Sequence, residues 1–181
     1  MESLSKYNEV VLVDRADVVM GTMEKMEAHV KGLLHRAFSV FVFNSNNELL
    51  LQRRASHKYH SPGLWSNSCC SHPLLNESID LAAKRRTQEE LGIDIYPEKI
   101  FDFIYKASFD NGLTEHEYDH VFIAYSDQTP NLNMEEADRY IYRDMASIQL
   151  DIKINPKKYT EWFKICFDNV YRYWNSLLKV S

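Results

Sequence analysis

The stretch ESIDLAAKRRTQEELGI, residues 77–93, is read as a helix over about 78–91, with Gly92 as its C-terminal stop. Arg85 and Glu89 are four apart on it, as are Arg86 and Glu90, so each pair shares a face. Taken singly, such pairs are ordinary surface ion pairs. Arg54, Lys58 and Lys25 bring further positive charge from neighbouring loops and strand ends, and an arginine fork matches phosphate oxygens. Alone, each of these cations reads as a solvated surface residue; as a local cluster they leave room for a small anionic ligand despite the negative net charge.

Outward from the helix, local patterns alternate between strand and helix. Residues 8–14 (NEVVLVD) read as a first strand, followed by a second that ends at Gly21, with Thr22 capping a short helix through His29. HRAFSVFVF, residues 35–43, is apolar on both pleat faces and meets ELLLQRR, residues 48–54, through Asn44-Ser45-Asn46-Asn47, which predicts a hairpin of central strands. Residues 55–76, rich in Ser, His, Pro and Gly, read as a loop that presents functional groups. After the helix, strands at 101–109 and 115–126 flank Asp110-Asn111-Gly112, a hairpin turn. A further strand is expected at 139–142. Asn155 and Pro156 then read as cap and first residue of a last helix, with Tyr159, Trp162, Phe163, Cys166, Phe167, Val170, Tyr171, Trp174, Leu177 and Leu178 at helical spacing. The expected architecture is α+β, a mixed sheet between helices.

The composition suits one domain spanning residues 1–181, since 45% apolar and 13% aromatic residues can fill a single core. A net charge of −5 with scattered basic residues argues against a nucleic-acid surface, which needs a concentrated basic face. The segment MESLSKYNEV has neither an apolar signal core nor an Arg-rich transit pattern, and no stretch reaches bilayer-spanning length, so a cytoplasmic protein without membrane partners is expected. Three cysteines, two of them adjacent, are too few for a secreted disulfide framework, and reduced thiols are expected.

Of the seven histidines, His57 and His60 read as hydrogen-bonded structural residues. His29, His35 and His72 read differently beside Glu115 and Glu117, because residues two apart on a strand point to one face. Three imidazoles and two carboxylates form a mixed donor set for an octahedral or near-octahedral Mg²⁺, Mn²⁺ or Zn²⁺. Cys166 lies on the apolar helical stripe and reads as core. Cys70, two residues before His72 in a polar segment, reads as a metal ligand, an acid/base thiol or a nucleophile.

These residues carry a resemblance. Glu77, Arg85, Glu89, Glu90, Gly92 and Ile93 fall in register with the metal-and-diphosphate helix of the Nudix family. Ser71 stands where its first glycine belongs, Thr87 where an apolar residue belongs, and Arg86 where a second acid belongs. The last exchange reverses a charge, which suits a site that grips a diphosphate without cleaving it. With GTMEKMEAH, GLLHRAFSVFVFN, LLLQRR, SPGLWSNSCCSHP, RRTQEELG and EHEYD, the chain from about 8 to 174 resembles the type I isopentenyl diphosphate isomerases.

The resemblance implies a Nudix-like fold and isomerisation of isopentenyl diphosphate to dimethylallyl diphosphate, a step feeding isoprenoid synthesis. It implies metal ligation by His29, His35, His72, Glu115 and Glu117, acid/base roles for Cys70 and Glu117, and Mg²⁺ held on the diphosphate by Glu90. It implies phosphate contacts from Lys25, Arg54, Lys58 and Arg86, with Tyr105 near Glu117 and Trp162 in the active site. A monomer or weak homodimer is expected. A Nudix-type nucleoside diphosphate hydrolase is the alternative, opposed by Arg86, and a non-catalytic diphosphate sensor would bind without turnover.

Overall fold

The structure, a computed structural model, describes residues 8–178. Its centre is β3 (His35–Phe43), buried at nearly every position because the HRAFSVFVF run is apolar on both faces. On one edge β3 runs parallel to β8 (Thr114–Tyr125), in register from His35↔Glu117 to Phe43↔Tyr125. Beyond it, β7 (Glu98–Ser108) pairs antiparallel with β8 around the expected Asn-Gly turn, where Gly112 has φ 82°.

The other edge of β3 is shared. β1 (Glu9–Val13) meets it at Leu12↔His35 and β4 (Leu49–Arg54) at Phe43↔Leu49, so the expected hairpin closes at one pair and then splays. Into the gap comes β6 (Cys69–Ser71), which pairs with residues 38–40 of β3, while β5 (Trp65–Ser66) pairs with β4. The outer edge of β4 carries β9 (Ala137–Arg143), and β1 carries β2 (Val19–Glu24). The sheet is therefore mixed. The expected loop over 55–76 contains two short strands, and Cys70 stands on one of them opposite Ser39.

Helices cover both faces. α2 (Ile79–Leu91) lays Ala82, Ala83 and Leu91 on Phe38, Val40 and Phe122. Ser78 has the extended backbone of an N-cap, and Gly92 closes the helix at φ 67°. A Cβ there would meet the Asn131 carbonyl at 3.0 Å, so glycine is required for space as well as conformation. On the opposite face, α4 (Glu161–Leu178) packs Phe163, Phe167, Val170 and Trp174 against Phe41 and Phe43.

Three local expectations are corrected. β2 runs past Gly21 to Glu24, so Thr22 lies in the strand and Glu24 caps α1 (Lys25–Lys31), accepting from Glu27 N at 2.8 Å. Pro156 opens only a single 3₁₀ turn, Pro156–Lys158. Tyr159 then stays extended, its backbone bridging Trp65, and Thr160 N donates to Trp65 O at 3.0 Å, so α4 begins at Glu161. Ahead of that turn lies a helix absent from the sequence reading, α3 (Met145–Ile154), capped by Asp144. Leu177, expected on the packed stripe, is exposed, and the side chain of Leu178 lies outside what is described. Cys69, Cys70 and Cys166 are free thiols, and no helix among the described residues is long and apolar enough to cross a membrane.

Candidate active site

The parallel β3–β8 pairing sets His35 opposite Glu117. Alternation along β8 turns Glu115, Glu117 and Asp119 to one side. His29 arrives from α1 and His72 from the residue after β6. His29 Nε2 lies 3.0 Å from Glu115 Oε2, His72 Nε2 3.0 Å from Glu117 Oε1, and His35 Nε2 3.6 Å from the same oxygen. The five residues named from sequence thus converge, and three overlapping groups drawn from them and His60 have donor atoms spaced to hold a metal ion.

The donors fit a divalent cation on their own chemistry. His35 is fully buried, and its Nε2 has no hydrogen-bond partner among the described residues, a cost of about 1–3 kcal/mol that a cation would remove. Burial works against charge on Glu115, but the imidazoles of His29 and His60 against its two oxygens outweigh it and hold the carboxyl well below the usual range. Burial and the charge of Glu115 push Glu117 up, and the imidazoles of His35 and His72 beside it bring it below the ordinary value. Burial pushes His72 down to about 4, which leaves the imidazole neutral and able to ligate.

Beside this cluster a cavity of ≈ 50 Å³ is lined by Cys70, Glu117, Tyr105, Trp162, Phe38 and His72, among others. Tyr105 OH donates to Glu117 Oε2 at 2.6 Å. The Cys70 thiol donates to Asn67 Oδ1 at 2.8 Å and lies 3.5 Å from Ser39 Oγ, and burial pushes its pKa up. Trp162 donates its indole N–H to Ser66 Oγ at 2.9 Å while the Arg54 guanidinium sits 5.1 Å from its ring. Trp162 is therefore both core residue and cavity wall, because the first turn of α4 faces the sheet where β5 and β6 enter it.

A second, open cavity of ≈ 750 Å³ shares Lys25, Arg54, Cys70 and His72 with the first and adds Lys58, Arg86, Glu90 and Glu136. Arg86 Nη2 donates to Glu90 Oε1 at 2.7 Å and Glu136 Oε1 at 3.1 Å, and its Nε donates to Ser71 Oγ at 3.0 Å. Lys58 pairs with Glu136 as well. The Arg86–Glu90 pair is no surface pair, since Glu90 is buried and burial raises its carboxyl. Arg85 turns elsewhere, gripping Glu77 at 2.7 and 2.8 Å and Glu89 at 3.2 Å. It fastens the segment that leads into α2 to the body of the helix.

Three residues here escaped the sequence reading. His60, read as structural, has its Nε2 3.0 Å from Glu115 Oε1, whereas His57 sits at the exposed Glu135. Its only sequence signal is its place two residues after Lys58 in the polar segment. Asp119 accepts from Ser39 Oγ at 2.8 Å, and burial with Glu117 nearby holds its carboxyl well above the usual range. The alternation that singled out Glu115 and Glu117 reaches it one step further on. Glu136 sits between two cations, in a segment without a readable period.

Known proteins agree with this architecture. A NUDIX domain matches residues 33–163. An Aromatoleum aromaticum protein named isopentenyl-diphosphate Delta-isomerase 2 is 48% identical over 90% of this chain and 86% of its own length. A Pectobacterium atrosepticum isopentenyl-diphosphate Delta-isomerase is 46% identical over 93% of this chain and 94% of its own. Among solved structures, a Deinococcus radiodurans protein superposes with a TM-score of 0.66 at 20% identity, over 81% of this chain and 90% of that one. A MutT protein from Methanosarcina mazei gives 0.64 at 19% identity, over 77% and 94%. At such identity the structures speak for the fold, and the sequence relatives for the branch. The chain belongs to the isopentenyl-diphosphate Delta-isomerases of the Nudix family.

Proposed function

We propose that this protein isomerises isopentenyl diphosphate to dimethylallyl diphosphate in isoprenoid biosynthesis. The observation that carries the mechanism is that Cys70 and Glu117 line one small cavity whose neighbour is rimmed by Lys25, Arg54, Lys58 and Arg86. The substrate's alkene has no carbonyl beside it to acidify a C–H bond, so a proton must be added first. That gives a tertiary carbocation, and loss of a proton from the carbon on the diphosphate side gives the product. Cys70 and Glu117 act as the acid/base pair and exchange roles in the reverse direction. Tyr105 holds Glu117 by its hydroxyl, and the π face of Trp162 stabilises the cation by roughly 1–2 kcal/mol in a desolvated pocket. The pocket must also close during the reaction, since water would capture the cation as an alcohol.

His29, His35, His72, Glu115 and Glu117 would hold a divalent ion, Mn²⁺, Zn²⁺ or Mg²⁺, and Glu90 would help hold Mg²⁺ on the diphosphate. Such ions, when bound, neutralise clustered carboxylate and phosphate charge. Lys25, Arg54, Lys58 and Arg86 bind the diphosphate, which serves as a handle that aligns the alkene. The protein acts in the cytoplasm on a small molecule, without nucleic-acid or membrane partners, as a monomer or weak homodimer.

A Nudix hydrolase would release phosphate instead. Arg86, beside Glu90 in the larger cavity, disfavours that chemistry by breaking the acid cluster. Incubating the protein with isopentenyl diphosphate and divalent metal in D₂O decides between them. Deuterium is expected in the methyl carbons of dimethylallyl diphosphate with no phosphate released; phosphate release without deuterium uptake would overturn the isomerase assignment. Arg86→Ala is expected to raise KM roughly 10- to 100-fold, the worth of a charged hydrogen bond to phosphate, with a smaller effect on kcat. Steady-state kinetics at varied substrate checks it, and an unchanged KM would remove Arg86 from the anion site.

A further inference from the structure

Glu115 has a histidine on each oxygen, and the two histidines differ. His29 Nε2 lies 3.0 Å from Oε2, and His60 Nε2 lies 3.0 Å from Oε1. His29 Nδ1 is 2.5 Å from the Lys25 carbonyl, and His35 Nδ1 is 2.9 Å from the Leu33 carbonyl. Each of these rings therefore commits its proton at Nδ1 and turns an Nε2 lone pair into the cluster, the arrangement in which an imidazole ligates a metal. His60 Nδ1 is buried and has no partner among the described residues. A proton placed there would be unsatisfied, so the neutral ring carries its proton on Nε2, facing Glu115. The ring plane is fixed by stacking on Phe109, centroids 5.3 Å apart, and by an edge contact with Trp162 at 5.5 Å.

We infer that His60 is a positioning residue of the metal centre, donating Nε2–H to Glu115 Oε1 and leaving Oε2 as the oxygen turned toward the lone pairs of His29 and His35. Oε2 is the oxygen that both rings approach, at 3.0 and 3.9 Å. A carboxylate free to rotate would present either oxygen or both. Held at one oxygen, it meets the cluster in one orientation, and its second lone-pair set is already satisfied. His60 comes from the segment between β4 and β5, apart from the strands that carry Glu115 and Glu117, and so ties that segment to the centre. The inference rests on the reading of His29, His35, His72, Glu115 and Glu117 as a metal centre.

The test uses full-length protein stripped of metal and titrated with Mn²⁺, with free ion followed by electron paramagnetic resonance and coupled imidazole nitrogens counted on the bound ion. Wild type comes first: if it binds no Mn²⁺ the metal reading fails, and the inference with it. With wild type binding, His60→Ala is expected to weaken Mn²⁺ affinity by about 10- to 100-fold. His60→Gln, whose amide N–H reaches the place of the ring Nε2–H, is expected to restore most of that loss, with three coupled nitrogens in every variant. Equal affinity in wild type and His60→Ala overturns the inference and leaves the metal reading intact. Loss of one coupled nitrogen in both variants makes His60 a ligand and overturns the positioning role. His60→Gln binding as weakly as His60→Ala also overturns it, since packing on Phe109 and Trp162 would then be the cause. Should His60→Ala not fold, His60→Asn, which places its amide at the Nδ1 position, gives the same comparison with His60→Gln.

Discussion

Cys70→Ala is expected to lower kcat on the order of 10²- to 10⁴-fold, the contribution of a positioned acid or base, while changing KM by no more than a few-fold. The two effects separate because Glu117 and Trp162, beside which the thiol lies, line only the smaller cavity, while Lys58 and Arg86 line only the larger. The structure also says why this variant should fold. Asn67 Oδ1, which accepts from the thiol, keeps its second donor, Ser66 Oγ at 3.0 Å, and the Asn67 amide stays pinned to the carbonyls of Val40 and Cys69. Ser39 keeps its bond to Asp119. No buried polar group loses its last partner. Steady-state kinetics with a thermal melt checks the prediction, and Cys166→Ala, a change in the core under α4, serves as the control that keeps its rate. A normal kcat in Cys70→Ala would remove the thiol from the chemistry.

Glu117→Gln is expected to reduce turnover at least as far and also to weaken metal retention. The amide is nearly isosteric, yet it removes a negative charge from a site in which His72 approaches to 3.0 Å and His35 to 3.6 Å, and it cannot act as a base. Tyr105 can still donate to the remaining carbonyl oxygen, so the fold is expected to survive. Two measurements are needed, kcat with saturating metal and the metal content after dialysis. Loss of both matches a residue that serves metal and substrate together. Loss of metal alone, with full rate restored by excess Mn²⁺ or Mg²⁺, would make Glu117 a ligand without an acid/base role. Chelation of the wild type should stop the reaction, and readdition of metal should restore it.

Much of the frame was legible along the chain. The HRAFSVFVF run is a central strand at the residues expected, α2 ends at Gly92, and the Asn111-Gly112 turn joins β7 to β8. These features depend on near neighbours: an apolar run, a residue tolerant of positive φ, a turn pair. The failures share a cause. β5 and β6 are two and three residues long, too short to show a period, and exist because β3 and β4 splay and leave backbone groups to pair. Pro156 carries a helix-start signal, but a backbone bond from Thr160 to Trp65, far away in the sequence, holds the chain extended until α4 can begin. α3 buries only Met145 and Ile148 toward the core, which leaves little amphipathic pattern to read.

The site divides along the same line. The sequence by itself determined which residue types were available, that Arg86 stands where the Nudix helix pattern has an acid, and which family the chain resembles, because such patterns are written in residue order. Tertiary structure alone decided that His29, His35, His72, Glu115 and Glu117 meet, through the parallel register of β3 on β8 and the insertion of β6 beside β3. It also decided that His60 joins them while His57 does not, although the two share one short polar segment. Spacing fixes the direction of a side chain relative to its own strand or helix. Whether two side chains from distant segments share an oxygen depends on strand pairing and packing between those segments, and no local pattern encodes that.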